Sequence, residues 1–192
     1  KKQSNGDKFD AKKQETQDDQ KHKITQVANL AQLKAMQGQL EAKLNSDPQA
    51  AQFKNSLNFV ITSDGLKVVI KDLENKPMFS SGKADFNKYA KNMLAWLTQQ
   101  INQYRNKIII IGHTDSQPFN KAHYSNWELS ADRANATREI LLNSGMANDK
   151  VLRVIGGADT SPANPDNSKD PSNRRIDIII LTDDATKHIQ EQ

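Results

Sequence analysis

The chain has 192 residues, a length that suits one domain together with some additional sequence. Only 35% of the residues are apolar and the mean hydropathy is −0.80, which predicts one compact domain joined to a solvated segment. The absence of cysteine excludes disulfide frameworks, thiolate metal sites and cysteine nucleophiles. The net charge of +4 comes from scattered lysines among acidic residues, which favours a solvated surface over a nucleic-acid-binding one.

No apolar run in the sequence approaches the roughly 20 residues that a membrane-spanning helix requires, and no signal peptide is recognisable. The chain begins at Lys1 rather than at a methionine. We therefore expect a processed or shortened product of a longer protein, from which a membrane anchor has been removed.

The first part of the chain divides into two segments of different character. Residues 1–21 contain one large apolar side chain, Phe9, and cannot bury enough surface to offset the entropy of ordering, so we predict a flexible or loosely helical linker. In the second segment, residues 22–56, apolar side chains recur every three or four positions and predict an amphipathic linker helix. These side chains are Ile24, Val27, Leu30, Leu33, Met36, Leu40 and Leu44.

The predicted helix ends at Asp47–Pro48, because proline keeps the residue before it out of the helical region. The pattern leaves two roles open for this helix. It either packs on its own domain or acts as a linker or dimer helix, whose release would extend the reach of the domain.

Turn and strand signals then predict a β-hairpin. Residues 58–63 and 66–72 flank Asp64–Gly65, and Asp-Gly is a preferred two-residue β-turn. Alternating apolar residues in the second strand indicate one buried face. They are Leu66, Val68 and Ile70.

The remainder of the chain alternates between helix and strand signals. We predict helices at 84–104 and 125–144, strands at 107–112, 151–157 and 174–182, a polar loop at 158–172 and a polar tail at 183–192. Ser125 and Glu128 fit a capping box, and Gly145 suits the end of that helix. The order predicts an α+β fold over residues 57–182, a mixed β-sheet with helices packed on one face, preceded by a long N-terminal linker helix.

Three polar segments lie at the ends of predicted elements, namely Gly112–Asp115, Leu129–Ala134 and Asn173–Arg175. In open α/β sheets, ligands bind beyond the carboxyl ends of the strands, which is where Asp115 follows an isoleucine-rich strand. Arg133 lies two turns into the next predicted helix, so a short path brings it within reach of Asp115.

Two interpretations of Asp115 and Arg133 stay open on the residues alone. In the first they form a structural ion pair, which contributes ~0–1 kcal/mol when it lies at a surface. In the second they clamp a zwitterion, with Asp115 accepting from a ligand ammonium and Arg133 holding a carboxylate through its two-pronged donor geometry.

Other chemistries find little support in the sequence. The four histidines lack metal-ligand spacing, and no glycine-rich phosphate loop occurs. No nucleophile-elbow pattern surrounds Ser125, which is better explained as a helix cap. We therefore expect no enzymatic activity and no cofactor or metal. Trp96 and Trp127 lie in helical apolar patterns, so both are predicted to pack in the core.

The three polar segments together resemble the signature of the OmpA-like peptidoglycan-binding domain family. The motif is G-H-T-D, then N-x-x-L-S-x-x-R-A, then N-R-R, and here it reads Gly112–Asp115, Asn126–Ala134 and Asn173–Arg175. The resemblance covers roughly residues 57–182.

The resemblance implies which residues bind the ligand. In this family the aspartate of G-H-T-D and the arginine of L-S-x-x-R-A hold the diaminopimelate group of a peptide stem, which carries over to Asp115 and Arg133. Arg175 is implied in the same groove, and Thr114 and Leu129 complete the implied set of binding residues.

Within the family, Tyr124–Asn135 and Lys76–Phe79 resemble the branch found in flagellar-motor stators. This implies the periplasmic domain of a single-pass inner-membrane protein that anchors the stator to the cell wall. The implied partners are peptidoglycan with a diaminopimelate-containing stem, a second copy in a homodimer, and a channel subunit reached through a membrane helix outside this chain. The alternatives are another OmpA-like wall tether, such as a peptidoglycan-associated lipoprotein or secretion-system anchor, and a cell-wall hydrolase.

Overall fold

The computed structural model describes residues 6–79, 83–118 and 123–191, and for residues 6–23 it describes the backbone alone. Four helices and five strands are formed in this part of the chain. In chain order they are α1 (Gly6–Ser46), β1 (Leu57–Ile61), β2 (Gly65–Lys71), α2 (Lys88–Ile101), β3 (Ile108–His113), α3 (Asn126–Asn143), β4 (Val151–Gly156), β5 (Arg175–Leu181) and α4 (Asp183–Gln190). Short 3₁₀ turns occur at Ala51–Phe53, Asn148–Lys150 and Pro171–Asn173.

The five strands form one mixed sheet in the order β1-β2-β5-β3-β4. β3 and β4 are parallel and are connected through α3, whereas the other neighbouring pairs are antiparallel. The central strand β5 turns alternate side chains toward the helices, where they join one core with residues of α1, α2 and α3. The predicted α+β architecture, with helices packed on a mixed sheet, is therefore confirmed.

The strand patterns of the sequence correspond closely to burial. Leu66, Val68 and Ile70 of β2 are all no more than 1% exposed, as their alternation predicts. Every residue of β3 except Ile111 is buried, as expected for an unbroken β-branched run in the interior of a sheet.

The predicted hairpin turn and the predicted start of α2 differ from the structure. The hairpin turn is shifted by one residue, since Ile61 pairs with Leu66 and the backbone N–H of Thr62 donates to the oxygen of Gly65 at 2.8 Å, which leaves Ser63 and Asp64 in the turn instead of Asp64 and Gly65. Helix α2 begins at Lys88 rather than near residue 84, because Asn87 caps it by accepting from the backbone N–H of Ala90 at 2.9 Å.

Helix α3 lies unusually close to the sheet. A Cβ atom added to Gly112 of β3 would sit 2.1 Å from the backbone oxygen of Ser130, and one added to Gly156 of β4 would sit 2.9 Å from Cβ of Ala131. The capping box predicted at Ser125 is present and starts this helix. These contacts hold the first turns of α3 directly against the carboxyl ends of β3 and β4.

Helix α1 begins at Gly6, well before the predicted start at residue 22, and its C-terminal half packs on the domain. Four of the predicted stripe residues join the core. They are Leu33, Met36, Leu40 and Leu44. Gln37 of the same half donates from Nε2 to the backbone oxygen of Phe59 on the edge strand β1, at 3.0 Å.

The rest of the stripe has a different environment. Ile24, Val27 and Leu30 are 70%, 69% and 44% exposed. The single helix therefore combines a segment packed on its own domain with a segment whose apolar side chains face solvent. Across the described parts of the chain, we find no helix whose length and apolar content would let it cross a membrane.

This division predicts a contrast between two truncations in one helix. Leu40→Ala should lower the free energy of unfolding by about 2–5 kcal/mol, because it leaves a cavity in the core. Ile24→Ala should change it by less than about 0.5 kcal/mol, because its side chain is already exposed. Urea unfolding followed by circular dichroism measures both, and equal losses would contradict the packing of α1 on the domain.

Candidate ligand-binding site

Asp115 lies in the turn that follows β3 and is 7% exposed. Its Oδ1 accepts from the backbone N–H of Gln117 at 3.1 Å, and its Oδ2 accepts from Nη1 of Arg174 at 2.8 Å. The side-chain amide of Asn126, the first residue of α3, donates to the backbone oxygens of Asp115 and Gln117. The carboxylate is thus held at the junction of β3, α3 and the start of β5.

Arg174 connects Asp115 to a second buried carboxylate. Its Nε donates to Oδ2 of Asp72 at 2.8 Å, and Asp72, which follows β2, is 2% exposed. Oδ1 of Asp72 accepts from the backbone N–H of Met78 at 2.5 Å. Burial lowers the pKa of Arg174, but its hydrogen bonds to Asp115 and Asp72 raise that pKa above its usual value overall.

Arg133 of α3 is 2% exposed and lies against the same network. Its guanidinium carbon sits 4.1 Å from the ring centre of Phe79, and its Nε donates to the backbone oxygen of Lys83 at 3.2 Å. Burial lowers the pKa of Arg133 to about 10, with Asp72 partly opposing the shift, so the group is cationic at neutral pH. Its Nη1 is buried and has no hydrogen-bond partner among the described residues.

Asp115 and Arg133 therefore belong to one electrostatic cluster without bonding each other. Among the described residues, the carboxylate of Asp115 forms its ion pair with Arg174, and Arg133 forms none within 4.0 Å. The interpretation of Asp115 and Arg133 as a direct structural ion pair is thus wrong. The described contacts leave Arg133 with an unused donor beside two carboxylates.

The two arginines of the N-R-R motif have separate environments. Arg174 bonds Asp115, whereas Arg175 bonds Asp177 through Nε at 3.2 Å and donates from Nη2 to the backbone oxygen of Ser161. Adjacent residues of an extended chain point to opposite sides, so only one of them can contact Asp115. Arg174 is the arginine that contacts Asp115, and ligand binding by Arg175 stays a prediction.

The other two implied site residues are both buried. Thr114 is 3% exposed, its backbone N–H donates to the backbone oxygen of Ala158, and its Oγ1 has no partner among the described residues. Leu129 is 4% exposed in the first turns of α3. Both lie in the segments next to Asp115 and Arg133, and their contact with a ligand stays a prediction.

A second buried polar cluster surrounds Asp177 of β5, which is 3% exposed. Nε2 of His113 lies 3.4 Å from the Asp177 carboxylate and Nζ of Lys67 lies 3.9 Å from it, in addition to Arg175. Burial raises the pKa of Asp177, but the neighbouring His113 and Arg175 lower it by more, so the pKa falls below its usual value. This cluster lies at the same end of the sheet as Asp115, because His113 of β3 pairs with Arg175 of β5.

Sequence reasoning missed Asp72, Arg174 and Phe79 as parts of the site. Asp72 was the last residue of a predicted strand, and Arg174 was one of two equivalent basic residues. The sequence signal available for Arg174 was the alternation of side chains along a strand, which places Arg174 and Arg175 on opposite faces. Trp127 also differs from its prediction, since it is 55% exposed rather than part of the core, whereas Trp96 is buried as predicted.

The Asp177 cluster predicts a pH-dependent contribution to stability. Asp177→Asn should lower the free energy of unfolding by about 3 kcal/mol at pH 7, because the charge of Arg175 stays buried without its partner. Since the folded pKa of Asp177 is lowered, its contribution is present above the unfolded pKa of about 4 and is lost as pH falls through the folded value. The difference between wild type and variant should therefore shrink in urea unfolding below pH 4.

Asp149→Asn serves as the matched control, because Asp149 pairs with Lys107 at 3.0 Å but its side chain is 80% exposed. It should leave the unfolding midpoint nearly unchanged at both pH values. A gap between wild type and Asp177→Asn that stays constant down to pH 2 would contradict the assigned ionisation.

Comparison with known proteins identifies relatives along most of the chain. The sequence matches the OmpA family over residues 78–175. Motility protein B of Escherichia coli K12 is 37% identical over 161 residues, which are 83% of this chain and 52% of that protein. The putative truncated flagellar export/assembly protein LafU of the same strain is 38% identical over 149 residues, which are 78% of this chain and 71% of that protein.

Solved structures share the fold at lower sequence identity. A putative MotB-like protein from Desulfovibrio vulgaris aligns with a TM-score of 0.68 at 19% identity, over 81% of this chain and 94% of that one. The periplasmic domain of Helicobacter pylori MotB aligns with a TM-score of 0.61 at 20% identity, over 73% and 89%. The cell wall anchor of the type VI secretion system from Pseudomonas aeruginosa aligns with a TM-score of 0.55 at 22% identity, over 68% and 90%.

This chain spans about half the length of the E. coli motility protein B that it matches. The family match nevertheless extends from Met78, beside Asp72, to Arg175 at the start of β5, and so includes Asp115, Arg133 and Arg174. Together with the 38% identity to a relative of which it covers 71%, this match shows that the chain belongs to the OmpA family.

Proposed function

We propose that this chain is the part of a flagellar-motor stator subunit that binds peptidoglycan and so anchors the stator to the cell wall. The identity to motility protein B and the OmpA family match support this assignment. The structural observation that carries it is the buried Arg133, which is cationic and keeps an unused donor beside Asp115 and Asp72. Such an arrangement suits a ligand that brings its own carboxylate.

The ligand group is the free end of diaminopimelate in the peptide stem, which carries an ammonium and a carboxylate on one carbon atom. Asp115 accepts from the ammonium, while Arg133 donates to the carboxylate from Nη1. Because both residues are at most 7% exposed, these charges interact with little competition from water. Arg174 keeps the Asp115 carboxylate in place through Nη1 and is itself held by Asp72.

In this proposal the domain lies in the periplasm and the full-length protein is a single-pass inner-membrane protein. Residues 1–56, which include α1, connect the domain to that membrane helix, and residues 57–182 bind the wall. The partners are a second copy of the chain and a MotA-type channel subunit. In this role the domain holds the peptidoglycan mechanically and catalyses no reaction on it.

The alternative is an OmpA-like wall anchor that serves another machine, as in a secretion system. The structural likeness to the type VI cell wall anchor supports the shared binding domain but is weaker than the 37% identity to motility protein B. Both candidates predict the same ligand contacts and differ in the attached machine.

We call the pair of Asp115 and Arg133 the clamp. The clamp is tested by sacculus pull-down with Asp115→Asn and Arg133→Ala. Loss of one charged partner from a buried, hydrogen-bonded pair typically costs about 2–5 kcal/mol, so retention should fall at least ~30-fold in each variant. Arg133→Lys should also lose most binding, because lysine lacks the two-pronged donor geometry. Arg105→Ala removes an exposed arginine outside the site and should bind like wild type.

Circular dichroism confirms that each variant is folded, and the same incubation should release no soluble muropeptides. Undiminished retention of folded Asp115→Asn and Arg133→Ala would reject the clamp. Release of muropeptides by wild type would replace the tether with a hydrolase.

The stator assignment is tested by a chimera. Joining this chain to the membrane segment of E. coli motility protein B should restore swimming in soft agar to a strain that lacks that protein. The same chimera carrying Arg133→Ala should restore none. A non-motile wild-type chimera that is stably expressed and retained by sacculi would favour the alternative wall anchor.

A further inference from the structure

A second concave surface lies away from the charged clamp. It is a cleft of about 420 Å³ between the 3₁₀ turn at Ala51–Phe53 and the outer side of α2. This volume falls within the range of small-ligand sites, about 300–1,000 Å³. Its lining consists of four carboxamides and two aromatic rings, together with one alanine. These carboxamides and rings are Gln49, Gln52, Asn92, Gln99, Phe53 and Trp96.

The lining is uncharged, although 26% of the residues of the chain are charged. A carboxamide donates and accepts at the same time, so a ring of them matches hydroxyl and amide groups. Charged ligands find no counter-ion among the described lining residues. The chemistry therefore selects a neutral ligand rich in hydroxyl and amide groups.

The aromatic floor of the cleft is held in place by its neighbours. The rings of Phe53 and Trp96 lie 6.3 Å apart, and Tyr89 meets Phe53 edge-on at 5.6 Å. Nε1 of Trp96 donates to Oδ2 of Asp47 at 2.9 Å, and the hydroxyl of Tyr89 donates to the backbone oxygen of Gln52 at 3.1 Å. The floor is therefore preorganised, which lowers the entropy lost on binding.

The cleft and the clamp are joined by the start of α2. The backbone N–H of Met78 donates to Asp72, which holds Arg174 beside the clamp. The backbone oxygen of Met78 accepts from the N–H of Asn87, the cap of α2. Asn92 follows Asn87 by about 7.5 Å along the helix axis, at a rise of about 1.5 Å per residue. A polymer bound at the clamp therefore has the cleft within reach along one helix.

We propose that this cleft binds an N-acetylhexosamine of the glycan strand whose peptide stem occupies the clamp, an inference that rests on the proposed function. The acetamide and hydroxyl groups of the sugar pair with Asn92, Gln99 and the glutamines of the 3₁₀ turn. The sugar ring lies over the base of the cleft, where Phe53 and Trp96 are 2% and 6% exposed. The sugars of the glycan strand carry hydroxyl and acetamide groups, which are uncharged and therefore match the uncharged lining of the cleft.

The test uses the β-1,4-linked tetramer of N-acetylglucosamine, which carries no peptide. Titration into ¹⁵N-labelled protein should shift the indole N–H of Trp96 and the side-chain amides of Asn92 and Gln99. The double variant Asn92→Ala, Gln99→Ala should weaken tetramer binding at least tenfold, and both positions are exposed, so the fold is preserved. Lys91→Ala, an exposed neighbour outside the lining, is the matched control and should bind like wild type.

A parallel titration with the free diaminopimelate-containing tripeptide separates this inference from the proposed function. The double variant should bind the tripeptide like wild type, whereas Asp115→Asn should bind the tetramer like wild type and lose the tripeptide. Absence of tetramer binding by wild type, with the tripeptide still bound, would overturn the cleft and leave the clamp standing. The proposal would also be overturned if the NMR signals of the lining residues shifted with protein concentration and not with added sugar. Such shifts identify a second copy of the chain as the occupant of the cleft.

Discussion

One guanidinium organises the binding end of this domain. Arg174 reaches Asp72 with Nε and Asp115 with Nη1, each at 2.8 Å. The two carboxylates follow β2 and β3, and β5, which Arg174 precedes, lies between those strands in the sheet. The bridge therefore crosses the centre of the sheet at one end. Two buried carboxylates without a cation between them would repel each other, so the position of Asp115 depends on this bridge.

Arg133 belongs to the same cluster of charged groups, but it forms no ion pair with the described residues of that cluster. The cluster holds two carboxylates and two guanidiniums, but both carboxylates are paired with Arg174. Arg133 is compensated at longer range and through the Phe79 ring and the Lys83 carbonyl. Burial of a cation with an unused donor is unfavourable in the free protein, and it becomes favourable when a ligand supplies a carboxylate. Perturbed buried groups of this kind concentrate at functional sites.

The packing of α3 on the sheet explains how the distances between these charged groups are maintained. Gly112 and Gly156 allow α3 to lie directly on β3 and β4, which sets the distance from Arg133 to the strand ends. Asn126 ties the first turn of α3 to the Asp115 turn. The proposed clamp at the strand ends and the proposed cleft on α2 correspond to the two chemistries of the proposed ligand, its charged peptide and its uncharged sugars.

Local patterns in the sequence determined most of the helices and strands of this protein and two residues of its candidate site. The β-branched run of β3, the alternation in β2 and the capping box at Ser125 each act through neighbouring residues, and so their outcomes were predictable. The motif residues Asp115 and Arg133 were also identifiable as candidates, since their residue types and their places at element ends are visible in the chain.

Only the tertiary structure decided which of these groups meet. The contact of Arg174 with Asp115, the participation of Asp72 and the cation–π contact of Phe79 all join segments far apart in the chain. The exposure of Trp127 was likewise decided by what its side chain finds to pack against. Sequence periodicity reports which face of an element is apolar, whereas the partner of a long polar side chain depends on three-dimensional distance, which periodicity does not encode.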